Sequence, residues 1–188
     1  IPAGPEPVIE LGCGMGLASL ATAFLLKEAR AAGRTDLPQK VLATDIEPRA
    51  LALVDENAGM AGISGCLETR RLDWSTPGAY TGKHRLILAA DALYHPEAGS
   101  QLAEFIKAAL VPDPASYAVV VDPYRWSARN FHYRAQEAGL RVRRRKVSVP
   151  FTNEAHLMEM PRSGPPTDGD VREDQALDVE VYELFPLT

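Results

Sequence analysis

The sequence predicts an α/β fold: a doubly wound sheet of seven strands, mostly parallel, closed by an antiparallel hairpin at its C-terminal end. Three observations carry this expectation. Short apolar runs alternate with segments of helical spacing from Val8 to Gly139. A glycine-rich turn joins the first run to the first helix. The last two strand-like runs have no helix between them.

Val8-Ile9-Glu10-Leu11 is apolar, stops at glycines and predicts a buried strand. Leu17, Leu20, Ala21, Phe24 and Leu25 then recur at helical spacing, and Gly33 and Pro38 end that helix. Lys40 to Thr44 predicts the second strand, closed by Asp45. Pro48 suits the first turn of a helix whose buried face is Leu51, Val54 and Ala58, and Gly59, Gly62 and Gly65 break the pattern. Cys66 to Leu72 and Leu86 to Ala90 predict strands three and four. Leu102, Phe105, Ile106, Ala109 and Leu110 mark an amphipathic helix. Tyr117 to Val121 predicts the fifth strand, and Ser127 the cap of a helix carrying Ala128, Phe131 and Ala135. Arg141 to Val149 and Val179 to Phe185 predict the hairpin, with Pro150 to Asp178 as a long irregular loop.

The 188 residues suffice for one domain with a core and are too few for two ordinary ones, so residues 1–188 read as a single domain. Hydrophobic residues at 46% and charged residues at 24% describe a globular chain. A net charge of −5 argues against a broad nucleic-acid-binding surface. No run approaches the roughly 20 apolar residues of a membrane span. Two cysteines imply no disulfide framework and a reducing compartment, the cytoplasm first, with the nucleus left open. Oligomeric state has no signature here. The four histidines show no metal-ligand spacing with the cysteines, so no metal is expected.

The chemistry gathers at strand ends. Glu10-Leu11-Gly12-Cys13-Gly14-Met15-Gly16 joins strand to helix with acid-x-G-x-G-x-G spacing. A dinucleotide fingerprint needs glycine at position 17, where Leu17 stands. The spacing suits a ligand whose amino acid and ribose pack against the turn without a pyrophosphate, and glycine permits that close approach. Glu10 is placed to orient the amino acid portion or to hold the loop. Asp45-Ile46 follows the second strand, where a carboxylate accepts from ribose hydroxyls. Asp73-Trp74 follows the third, offering an acceptor and an aromatic face, and Asp91-Ala92-Leu93-Tyr94 follows the fourth. Cys13 reads as a packing residue rather than a nucleophile, and His95 as a surface residue beside Tyr94. Arg141, Arg143, Arg144, Arg145 and Lys146 form the dense basic run, read as an edge strand whose charges discourage aggregation.

These motifs resemble the seven-strand protein lysine methyltransferases of the methyltransferase-like group, from Val8 to about Val149 and again from Val179 to Phe185. Glu10 to Leu17 is similar to their first motif, Asp45 to their ribose-binding acid, and Asp73-Trp74 to their adenine-side motif. Ala89 to Tyr94 is similar to their motif after strand four. The resemblance implies a Rossmann-like sheet with a reversed last strand beside the sixth, and S-adenosylmethionine as cofactor. It implies a cofactor site of Glu10, Gly12, Cys13, Gly14, Gly16, Asp45, Ile46, Asp73, Trp74 and Ala90. Asp91 and Tyr94 would face the methyl acceptor, an amine on a protein substrate. Asp122-Pro123-Tyr124-Arg125 also resembles relatives that modify a flavoprotein subunit or a protein N-terminus. The family's covering segment before the first strand, with its tryptophan, is expected to be missing. Three rivals stay open: a small-molecule amine methyltransferase, a silent binding partner with the same fold, and an NAD-dependent oxidoreductase, which Leu17 disfavours.

Overall fold

The computed structural model describes residues 6–76, 78–95, 97–123, 125–150 and 176–187. One seven-stranded sheet runs through them. It comprises β1 (Val8–Leu11), β2 (Val41–Asp45), β3 (Leu67–Arg71), β4 (Leu86–Ala90), β5 (Tyr117–Asp122), β6 (Leu140–Pro150) and β7 (Ala176–Pro186), in the order β3-β2-β1-β4-β5-β7-β6. The first five strands pair in parallel, and β7 runs antiparallel between β5 and β6. Four helices connect them: α1 (Leu17–Ala31), α2 (Pro48–Met60), α3 (Ala98–Ala109) and α4 (Phe131–Glu137). The expected doubly wound sheet with its closing hairpin is therefore present, and strand ends fall within two residues of the sequence reading up to β5.

Alternation along the strands divides the core in two, because successive side chains point to opposite faces. Ile9 and Leu11 of β1 join Ile87, Ala118 and Val120 against Leu102, Phe105 and Ile106 of α3 and Phe131 of α4. Val8 joins Val41 and Ala43 against Ala23 and Leu26 of α1 and Leu51, Val54 and Ala58 of α2. Pro48 stands at the start of α2 as expected, and Glu47 caps that helix by accepting the Arg49 N–H at 3.1 Å.

Two expectations are corrected. The spacing of Leu17, Phe24 and Leu25 marks a helix, but those side chains face outward, and α1 buries Ser19, Ala23 and Leu26 instead. The reason is Glu10. Its side chain lies on the α1 face of β1 and accepts from Ser19, which draws the polar side of the helix inward. Ser127 caps no helix either: its hydroxyl donates to the Leu93 carbonyl from a 3-10 turn at Trp126–Ala128, and α4 starts after Asn130.

The basic run lies on β6 at the sheet edge, where the resemblance put it. Its charges meet acids on β7: Arg143 with Glu183, Arg144 with Glu180, and Lys146 with Asp178. The Arg141 guanidinium lies 4.7 Å over the Phe185 ring. Residues 151–175, the bulk of the expected loop, and Pro96 lie outside the described residues.

Candidate functional site

Parallel strands β1 and β4 are neighbours while their connections leave in opposite directions, and open α/β sheets bind ligands beyond the strand ends at such a switch point. A cavity of about 750 Å³ lies there. Its walls include Gly12, Cys13, Gly14 and Gly16 from the first turn, Asp45 and Ile46 from the end of β2, Asp73 and Trp74 from the end of β3, and Ala90, Asp91 and Tyr94 from the end of β4. The structure thus gathers residues separated by up to 82 positions in the chain. One member of the expected set stays outside. Glu10 is 2% exposed beneath the turn, its Oε2 accepting the Ser19 N–H at 2.8 Å and the Ser19 hydroxyl at 2.5 Å. Of the two roles the sequence left open for Glu10, this geometry matches holding the loop. Burial pushes its carboxyl above the ordinary range, against the pull of the Ser19 hydrogen bonds.

The turn is shaped for a close neighbour. Gly12 has φ 69°, and a Cβ there would meet Cζ2 of Trp74 at 2.8 Å, so the indole packs directly on the glycine. Gly14 has φ 51° and nothing within 4 Å of its Cβ position, so the loop tip faces open space. The Gly14 N–H donates to Asp45 Oδ2 at 2.9 Å, and Asp45 Oδ1 accepts the Glu47 N–H at 2.9 Å. A carboxylate offers about four lone-pair sites, so two remain for ligand hydroxyls. Asp73 Oδ1 accepts the Ser75 N–H at 2.9 Å, and this bond holds its carboxyl below the usual range.

Cys13 is buried, and burial together with Glu10 and Asp45 pushes its thiol up to about 12. It is a wall of the turn and carries no thiolate near neutrality.

Asp91 and Tyr94 stand at the rim, both more than half exposed. Asp91 is the one non-glycine among the described residues with positive φ, at 57°. It caps no helix: α3 begins after Glu97. His95 also lines the cavity, its ring 4.9 Å from that of Tyr94. Sequence reasoning missed Glu97 as a wall residue and Arg125 as the ion-pair partner of Asp91. The first follows from α3 starting beside the cavity. The second spans 34 positions and leaves no local signal.

Among the described residues the wall carries four carboxylates, from Asp45, Asp73, Asp91 and Glu97, and neither lysine nor arginine. Such a surface suits a cationic ligand and offers nothing to a pyrophosphate.

A family model described as lysine methyltransferase matches residues 3–134. The chain belongs to the lysine methyltransferase family. Its fold is also that of solved S-adenosylmethionine-dependent methyltransferases. One from Methanosarcina mazei is 13% identical with a TM-score of 0.64, over 97% of this chain and 92% of that one. A TehB-like enzyme from Corynebacterium glutamicum is 16% identical with a TM-score of 0.61, over 100% and 83%. The [4+2]-cyclase SpnF is 15% identical with a TM-score of 0.65, over 99% and 77%, so likeness at this level is one of fold. Comparison with curated protein sequences gives no match.

The methyltransferase uses S-adenosylmethionine, and the cavity fits it. The cofactor is a net cation at neutral pH, which the acidic wall favours. The open space over Gly14 would admit its amino acid end, the free acceptor sites of Asp45 would take ribose hydroxyls, and Trp74 would lend a ring face. Among the described residues, no helix is long and apolar enough to cross a membrane.

Proposed function

We propose that this methyltransferase transfers its methyl group to an amine, the side chain of a lysine in a protein substrate, with the cofactor held by Gly12, Cys13, Gly14, Gly16, Asp45, Ile46, Asp73, Trp74 and Ala90. The observation that carries the reading is the pairing of an acidic cavity wall with an exposed carboxylate, Asp91, and an exposed aromatic ring, Tyr94, at its open rim. A cationic side chain approaching from a protein surface meets that rim first. The family match supports the same acceptor.

Bound in the cavity, S-adenosylmethionine supplies an electrophilic methyl group on a sulfonium. The chain's own work is positioning. Asp91 accepts a hydrogen bond from the acceptor nitrogen and sets its direction, and Tyr94 lays a ring face against the cationic or alkyl part of the side chain. A lysine with a reference pKa of about 10.4 must first lose a proton to solvent, because the ammonium has no lone pair. Leaving water on entering the cavity favours the neutral amine. With Asp91 and Tyr94 holding the neutral amine in line, the cofactor would supply its methyl carbon to the nitrogen lone pair and keep the C–S electrons on sulfur, and the methylated ammonium would release its proton to solvent.

The test is transfer of tritiated methyl groups to an array of lysine-containing peptides, with small primary amines in parallel. The reading expects label on lysine peptides, absent when the peptide lysine is replaced by arginine and reduced roughly tenfold or more by Asp91→Asn. Label confined to the small amines would transfer the function to a metabolite. Binding of S-adenosylhomocysteine with no transfer to any amine would sink the amine reading itself.

A further inference from the structure

The end of β5 holds a group that the cavity wall does not include. Asp122 is 0% exposed, and a carboxylate so placed demands compensation. Its Oδ1 accepts the Arg125 N–H at 2.7 Å, and its Oδ2 lies 3.6 Å from Arg125 Nη1. The same Nη1 forms an ion pair with Oδ1 of Asp91. Asp91 is held a second time by the same strand, since its backbone N–H donates to the Val121 carbonyl at 2.8 Å. That bond fixes the left-handed turn in which Asp91 sits, a conformation aspartate tolerates better than most residues.

We propose that Arg125 is a positioning residue of the acceptor site: anchored by buried Asp122, it clasps one oxygen of Asp91 so that the other is presented to the incoming amine. This rests on the amine reading above. Asp91 keeps 59% of its side chain exposed while paired, so the clasp leaves room for a second partner. Arginine suits the task better than lysine, because its planar guanidinium holds its charge in a fixed direction, whereas an ammonium is a strongly hydrated point charge on a flexible stem. Arg125 is not among the residues that line the cavity and acts through Asp91. Among the described residues the cavity lining has no lysine or arginine, and Arg125 is the cation paired with Asp91.

The experiment compares wild type, Arg125→Ala and Arg125→Lys by kcat and KM on lysine peptides and on n-butylamine, with S-adenosylhomocysteine affinity measured by calorimetry. In parallel, the ¹⁵N-arginine spectrum of the S-adenosylhomocysteine complex reports slow rotation of a clasped guanidinium. Arg125→Ala is expected to lower kcat about tenfold or more with cofactor-product affinity close to wild type, and Arg125→Lys to recover part of it. The Arg125 Nη signal is expected in wild type and absent in Asp91→Asn. Wild-type kcat in Arg125→Ala overturns the proposal. So does an Arg125 signal indifferent to Asp91→Asn, or a fall in kcat matched by equal losses of affinity and thermal stability in both variants. A wild-type chain that methylates neither amine yet keeps the Asp91-dependent signal sinks the amine reading and leaves the clasp standing.

Discussion

The Trp74 indole rests directly on Gly12, so close that one added carbon on the glycine would fall 2.8 Å from Cζ2 of the ring. The Asp73-Trp74 segment after β3 and the glycine turn after β1 are thereby one packed unit. Gly12→Ala should displace the ring and also place an alanine at φ 69°, which costs about 1–2 kcal/mol. Calorimetry is expected to show S-adenosylhomocysteine affinity reduced roughly tenfold or more, with a shifted tryptophan emission. Gly14→Ala makes the contrast, since its φ is also positive but its Cβ meets nothing. That variant should leave the emission unchanged and lose affinity through strain at its positive φ and entry of the new methyl group into ligand space, with no displacement of the ring. Equal emission spectra for wild type and Gly12→Ala would refute the packing argument.

Asp45 and Ser19 separate ligand contact from support of the loop. Asp45 ties the Gly14 and Glu47 amides and lines the cavity, whereas Ser19 is buried beneath it and satisfies Glu10. Asp45→Ala should therefore lose most of the affinity for S-adenosylhomocysteine. Ser19→Ala should lower stability to denaturant by about 1–3 kcal/mol, the cost of losing the hydroxyl hydrogen bond to a buried carboxylate that keeps the residue 19 N–H, with a smaller change in affinity. Affinity losses of the same size in both would mean that Asp45 acts on the loop alone.

Two buried glutamates should pull stability in opposite directions with pH. Burial raises the Glu10 carboxyl above its ordinary value. Its contribution is therefore complete below the unfolded value of about 4.3 and lost as pH rises through the folded one. At Glu180 burial also pushes upward, but the hydrogen bonds from Arg144 and Tyr182 outweigh it and the carboxyl is held below its ordinary value. That contribution is present above about 4.3 and lost as pH falls through the folded value. Glu10→Gln keeps an oxygen for Ser19 and removes the buried charge, so at pH 7 it should be at least as stable as wild type. Glu180→Gln should cost about 1–3 kcal/mol at pH 7, a figure moderated by the partial exposure of Arg144, and the difference from wild type should shrink in acid. Denaturant titrations from pH 3 to pH 8 measure both. Parallel pH curves for the two variants would contradict the assignment.

What the sequence made legible was whatever is local and periodic. The apolar runs of β1, β2 and β4 and the buried triplet Leu51, Val54 and Ala58 follow from chain-neighbour spacing alone. The glycine turn could be read because Leu17 excludes one ligand class by spacing. The outward face of α1 could not, since its orientation is set by a carboxylate seven positions before the helix starts. Leu17, Phe24 and Leu25 outweigh Ser19 in any hydrophobic pattern, yet Ser19 is the residue with a buried partner. Arg125 escaped for a similar reason. Its meaning lies in Asp122 and Asp91, at the ends of two adjacent parallel strands, and parallel pairing brings together residues that no sequence window contains.

Cys13 tests whether the turn uses sulfur for packing or for chemistry. Its backbone N–H donates to the Thr44 carbonyl at 2.8 Å, which fixes the residue against β2, and its side chain is buried in the α1–α2 half of the core. With burial, Glu10 and Asp45 holding the thiol at about 12, the reactive thiolate is scarce at pH 8. Cys66 is partly exposed, with its sulfur 3.5 Å from Arg30 Nη1. Iodoacetamide at pH 8 should therefore label Cys66 in the folded chain and reach Cys13 only after denaturation, as mass spectrometry of the peptides will show. Adding S-adenosylhomocysteine should not alter that pattern, because the protection of Cys13 comes from the fold. Rapid labelling of Cys13 in the folded chain, suppressed by S-adenosylhomocysteine, would instead place its sulfur in the open cavity and require the turn to be mobile when empty.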